Sequence, residues 1–177
     1  AKMELGCLEP GRVSFYNLDG DVIEKPLTTI QWVAEAAEKS GYEYFMMKEI
    51  HEQPKAVADT LHAFVKDGAP DLSAAGLSDE DLQGVSSVCV VACGSAWHVG
   101  MTAQYVLEQL ARVRVRVELA PEFRYRQPLL AEGTLVVVIS QSGETADSLA
   151  ALREAKRLGA RTLGIVNVVG SSIAREA

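Results

Sequence analysis

From position 134 the chain reads TLVVVISQSGETADSL, in which the apolar run Leu135, Val136, Val137, Val138, Ile139 gives way to hydroxyls and a glycine just where a helical pattern begins. An unbroken apolar run bounded by polar residues fits a parallel strand covered on both faces, not an alternating surface strand. Parallel neighbours cannot be joined by a tight turn and need a crossover, usually a helix. Similar strand candidates lie at 85–92, 113–119 and 162–166, with helical stretches near 96–110 and 145–158. This repeated β-α-β pattern predicts an α/β fold built on an open parallel sheet flanked by helices, with right-handed crossovers. The candidate at 113–119 alternates Val with Arg and Glu, so one face or edge of it should meet water. That gives Arg112, Arg114 and Arg116 a structural reason to be there.

In an open sheet of this kind ligands collect beyond the carboxyl ends of the strands, near the point where strand order reverses. Two loops meet that condition, Cys93-Gly94-Ser95-Ala96 and Ser140-Gln141-Ser142-Gly143. Ser140, Gln141, Ser142 and Thr145 supply side-chain donors, and Gly143 lets backbone come close. The first amide groups of the following helix have no partner within it, which suits a phosphate. The same residues also allow a plainer reading, with Ser142 an ordinary N-cap and Glu144 an acidic complement to the helix dipole. The Gly-x-x-x-x-Gly-Lys-Ser/Thr motif does not occur, and Gly94 and Gly100 lack Gly-x-Gly-x-x-Gly spacing, which argues against nucleotide binding of those kinds.

With 177 residues, 48% of them hydrophobic, the chain can hold one full domain and an appendage. A net charge of −7 argues against a general nucleic-acid surface. Cys7, Cys89 and Cys93 are odd in number, and the last two fall in or beside a predicted buried strand, so reduced thiols and a cytoplasmic protein are expected. Neither a secretory signal nor an apolar run near bilayer length is seen, so no membrane association is expected. No metal site or cofactor is predicted.

Upstream, strand formers flank Asp19-Gly20, a tight-turn dipeptide, and predict a hairpin that belongs to a larger sheet. From Thr29 to about Phe64 the pattern is helical, with breaks expected at Ser40-Gly41 and Pro54. Tyr44, Phe45, Met47, Ile50 and His51 share part of one helix face and read as core, and His51 and His62 read as structural histidines. Residues 67–83 read as a loop-rich connection with a short helix near 78–82. A further helix is expected to begin around 169–173, close to the last residue, and the chain is expected to be a piece of a longer polypeptide.

These residues resemble the glutamine:fructose-6-phosphate amidotransferase family across nearly the whole chain. The resemblance is carried by Met47-Lys48-Glu49-Ile50-His51-Glu52-Gln53-Pro54, by Glu118-Leu119-Ala120-Pro121-Glu122-Phe123-Arg124-Tyr125-Arg126, and by the two loops Ala92-Cys93-Gly94-Ser95 and Ser140-Gln141-Ser142-Gly143-Glu144-Thr145-Ala146-Asp147. It implies that 1–26 close a glutaminase domain, 27–84 form the linker and opening helices of an isomerase half, and 85–177 form most of a first sugar isomerase (SIS) domain of flavodoxin-like arrangement. It further implies glutamine and fructose 6-phosphate as substrates, glucosamine 6-phosphate as product, and self-association through the isomerase half. Ser140, Gln141, Ser142, Thr145 and Ser95 would grip the phosphate, with Cys93, Gly94, Ala96 and Gly143 contributing backbone. That family commonly has Thr-Ser where this chain has Ser95-Ala96, so one hydroxyl is missing. Its Schiff-base lysine, acid/base groups and glutaminase nucleophile would lie in other parts of the enzyme, leaving no catalytic residue here. A phosphosugar-binding regulator on the same scaffold is the alternative, and a flavodoxin-like flavin binder a third.

Overall fold

The computed structural model describes residues 3–26 and 38–177. By its contacts the chain divides into two compact units, Ala1–Ala63 and Phe64–Ala177.

In the first unit, β1 (Leu5–Glu9), β2 (Arg12–Tyr16) and β3 (Val22–Ile23) form an antiparallel sheet in the order β1-β2-β3. The predicted hairpin is β2-β3. Its turn is held by Asn17, whose carbonyl accepts the Gly20 N–H at 3.2 Å and whose Oδ1 accepts the Asp21 N–H at 2.8 Å. Gly20 has φ +87°, a left-handed conformation that glycine adopts without strain. β1 adds a strand beyond the predicted hairpin, joined to β2 through the turn signal Pro10-Gly11.

Helix α1 (Phe45–Phe64) starts after Ser40 and Gly41, both left-handed, as the sequence suggests, but it runs straight through Pro54. One proline removes one helical hydrogen bond, and good helix formers on either side (Met46, Met47, Lys48, Glu49; Lys55, Ala56) carry the helix past it. The stripe read as core is also corrected, because Tyr44, Phe45, Met47 and Ile50 are exposed. The described part of this unit buries no apolar side chain. Lys48 is buried instead, its Nζ donating to the Glu38 carbonyl at 2.6 Å. His62 is exposed, and so is His51, which stacks on Tyr42 with ring centroids 5.3 Å apart. The predicted helical stretch from Thr29 to position 37 lies outside the described residues.

The second unit opens with the short ladder β4 (Val65–Lys66) and β5 (Ala69–Pro70), a 3-10 turn, and α2 (Asp79–Gln83). Ser78 and Asp81 form a reciprocal capping box at the start of α2. There follow β6 (Ser87–Ala92), α3 (Gly94–Leu110), β7 (Arg114–Leu119), α4 (Ala120–Tyr125), β8 (Thr134–Ser140), α5 (Ala146–Arg157), β9 (Arg161–Val166) and α6 (Ser172–Glu176). The four strands form one parallel sheet in the order β7-β6-β8-β9. Among the described residues no helix is long and apolar enough to cross a membrane.

Strand side chains alternate, so each apolar run feeds two cores. Cys89, Val91, Val136 and Val138 join Phe123, Leu152 and Ile173 on one face. Val88, Val90, Val115, Leu135 and Val137 form the other. Gly100 lets α3 lie close on that second face, since a Cβ there would stand 2.8 Å from Val90 Cγ1 and 3.0 Å from Val117 Cγ1. β7 is an edge strand, which explains its exposed Arg114 and Arg116. Its open backbone at Val115 is occupied within the chain, the N–H donating to Glu108 Oε1 at 3.2 Å and the carbonyl accepting from Gln104 Nε2 at 2.9 Å. Such capping blunts an edge that would otherwise invite another strand.

Burial pushes the Cys89 thiol up to about 11, with the Glu118 carboxylate adding to the rise. Iodoacetamide at pH 8 should therefore alkylate the exposed Cys7 and spare Cys89 until the protein is unfolded, which peptide mass spectrometry will show.

Candidate functional site

The sheet order puts β6 and β8 side by side, yet the chain leaves them in opposite directions, to β7 from one and to β9 from the other. Their register pairs Ala92 with Ile139, so the loops beginning at Cys93 and Ser140 emerge as neighbours at the switch point. Between them lies a cavity of about 290 Å³ lined by Cys93, Ser95, Ala96, Ile139, Ser140, Gln141, Ser142 and Thr145. Seven of the nine residues predicted from the sequence are in that wall. The other two, Gly94 and Gly143, shape the loops from behind with φ +57° and +66°.

Helices α3 and α5 begin at this cavity, with Cys93 and Thr145 as their N-caps and no side-chain cap on either. Two sets of amide N–H groups, at the positive ends of two helix dipoles, thus face one hydroxyl-lined space. Among the described residues no lysine or arginine lines it, so an anion held here by them would be held by neutral donors and dipoles. A larger cavity of about 460 Å³, walled partly by Gly133, Thr134, Leu158 and Gly159, opens at the opposite ends of the strands. α5 ends there, and a helix C-terminus repels anions.

The hydroxyls have distinct tasks. Ser140 is buried; its Oγ accepts the Gly143 N–H at 3.1 Å and shares a hydrogen bond of 2.9 Å with Thr145 Oγ1. It fixes the turn. Ser142 Oγ accepts the Glu144 N–H at 3.2 Å, which leaves its own proton free to donate. The Ser142 N-cap reading is corrected, because the N-cap of α5 is Thr145, three residues later, beyond the left-handed Gly143. Cys93 is tied to the first turn of α5, its sulfur accepting from the buried Ser148 hydroxyl at 3.7 Å.

Glu144 also departs from expectation. Its carboxylate does not complement the α5 dipole but accepts the Ser172 N–H of α6 at 2.7 Å. Hydrogen bonds from Ser172 hold it below the usual carboxylate range, with Arg175 adding attraction. Two backbone bonds run alongside, Asn167 N–H to the Gln141 carbonyl at 3.3 Å and Ile173 N–H to the Gly143 carbonyl at 3.0 Å. Nothing local in the sequence signals this stitching, whose partners are about thirty residues apart.

Residues 81–177 match the family pattern described as the SIS domain. The chain belongs to the SIS domain family. The matched residues lie within the second unit and include its parallel sheet and flanking helices.

Similarity extends beyond it. The chain is 52% identical to glutamine–fructose-6-phosphate aminotransferase (isomerizing) of Clostridium acetobutylicum over 93% of its own length and 27% of the relative's. It is 57% identical to the enzyme of the same name from Mycolicibacterium paratuberculosis over 83% of this chain and 24% of that one. The solved C-terminal domain of glucosamine-fructose-6-phosphate aminotransferase from Francisella tularensis matches with a TM-score of 0.71 at 43% identity, covering 79% of this chain and 39% of that one. The chain therefore spans only about a quarter of the length of these full-length relatives.

Proposed function

We propose that this chain is the phosphosugar-gripping portion of an enzyme that forms glucosamine 6-phosphate from fructose 6-phosphate and glutamine. The observation that carries this reading is the convergence of two helix N-termini, neither capped by a side chain, on a cavity walled by Ser95, Ser140, Ser142 and Thr145. The names of the relatives supply the sugar. In this reading 1–26 close a glutaminase domain, 27–84 link it to the isomerase half, and 85–177 belong to the first SIS domain of a cytoplasmic homo-oligomer. Ser140, Gln141, Ser142, Thr145 and Ser95 surround the phosphate, and Cys93, Gly94, Ala96 and Gly143 shape the backbone that meets it. Ala96 offers its amide where that family commonly carries a hydroxyl.

Among the described residues the cavity wall holds no carboxylate, imidazole or amine, and in this reading the chain binds the sugar ester while proton transfer falls to groups elsewhere in the enzyme. The same fact favours the second reading, a non-catalytic SIS-domain regulator that senses phosphosugars. Aminotransferase activity in the longer protein that carries this chain separates the two.

Ser142→Ala tests the site. Loss of a hydroxyl donor to a charged group should weaken fructose 6-phosphate binding by about 1 to 3 kcal/mol in calorimetry. An unchanged affinity would leave Ser142 with no role beyond its bond to the Glu144 N–H.

A further inference from the structure

Loop 140–145 is joined to the segment after β9 at three points: Gln141 to Asn167, Gly143 to Ile173 and Glu144 to Ser172. Two of these are backbone bonds that any sequence could make. The third depends on one side chain, and that side chain is a carboxylate standing next to a site read as a phosphate site. An acidic group one residue before the α5 N-cap would ordinarily turn toward the free amides of α5 and compete with an incoming anion. Glu144 is instead engaged with α6, while the other acid of this region, Asp147 in the first turn of α5, is paired with Arg124 at 3.1 Å.

We infer that Glu144 is a positioning residue for the phosphate loop: by accepting the Ser172 N–H it fastens the loop to the start of α6 and keeps its own charge away from the amides that meet the anion. The inference rests on the phosphate reading of the cavity. It makes the segment from Asn167 to Ser172 part of the binding apparatus although none of its residues lines the cavity.

The donor can be removed as cleanly as the acceptor. Ser172 is the first residue of α6, where helices favour proline, and Ser171 before it has φ −63° and ψ 165°, a conformation compatible with a following proline. Calorimetry on the 177-residue protein with inorganic phosphate and with fructose 6-phosphate is the test, with circular dichroism to verify folding. Glu144→Ala should weaken both ligands about tenfold or more, the size of one lost hydrogen bond to a charged group. Ser172→Pro should do the same and keeps the test open should the alanine variant fold poorly. Glu144→Gln, which retains an oxygen acceptor, should recover affinity to within about threefold of the parent. The double variant Glu144→Ala/Ser172→Pro should be no weaker than either single one, because both remove the same bond. Parent-like affinity in Glu144→Ala, or additive losses in the double variant, overturns the inference and leaves the site reading standing. A parent protein that binds neither ligand overturns the site reading, and the inference falls with it.

Discussion

Gly143→Ala is expected to abolish phosphosugar binding and to destabilise the SIS domain by about 3 kcal/mol. Two independent costs add. Gly143 has φ +66°, a region in which a Cβ meets the following carbonyl. The new methyl would also stand 2.0 Å from Ser171 Oγ and 2.5 Å from Ser171 Cβ. Rotating the hydroxyl relieves the first contact but not the second, and Ser171 is only 3% exposed, so backbone must move. The movement falls on the stitched loop itself, where the Ser140 hydroxyl takes the Gly143 N–H and the Gly143 carbonyl takes the Ile173 N–H. Gly94→Ala is the control. It too is left-handed, at φ +57°, but its Cβ would meet nothing within 4 Å, so only the conformational cost of about 1 kcal/mol remains. Thermal unfolding should show Gly143→Ala well below both the parent and Gly94→Ala. Adding Ser171→Gly to Gly143→Ala should restore part of the loss by removing the clashing Cβ. Equal melting temperatures for the two alanine variants would refute the steric account.

What could be read in advance follows the range of the interaction. The strands β6 and β8 declare themselves because five or six consecutive apolar residues have no other economical fate than burial on both faces. The two loops follow from them, since parallel strands with helical crossovers bring their carboxyl-end turns to one rim. Ser142 is legible as a hydroxyl near a helix start but not as a non-cap, because α5 starts only beyond Gly143, whose left-handed turn is held by the Ser140 hydroxyl and the Ile173 amide. Partners such as Cys93 with Ser148, or Glu144 with Ser172, leave no periodic trace. The apolar stripe on α1 shows the converse, for a helical pattern states that a face wants cover without saying what covers it. At Pro54 a run of good helix formers outweighs the single lost bond.

Phe123 is the least legible core residue and carries the second large effect. In the sequence it sits in a short polar segment, EFRYR, that reads as connection, yet α4 buries it completely against Val91, Val136 and Leu152. The fold explains why: Ala120 and Pro121 open α4 directly after β7, and in this six-residue helix Ala120 and Phe123 turn inward, Phe123 as the one large side chain. Phe123→Ala should cost about 3 to 5 kcal/mol, since α4 packs on α5, β7 and β6 in a sheet-helix layer with little freedom to collapse. Phe123→Leu should cost roughly half as much, because it refills most of that volume. α4 also carries Arg124, which pairs with Asp147 in the first turn of α5, so loosening the anchor should reach the phosphate site. Denaturant melts of the two variants measure the packing, and phosphate titrations on the folded fraction measure the transmitted effect. Phe123→Ala melting within 1 kcal/mol of the parent would mean that α4 is held by its ion pairs with Glu118 and Asp147 and not by its one buried ring.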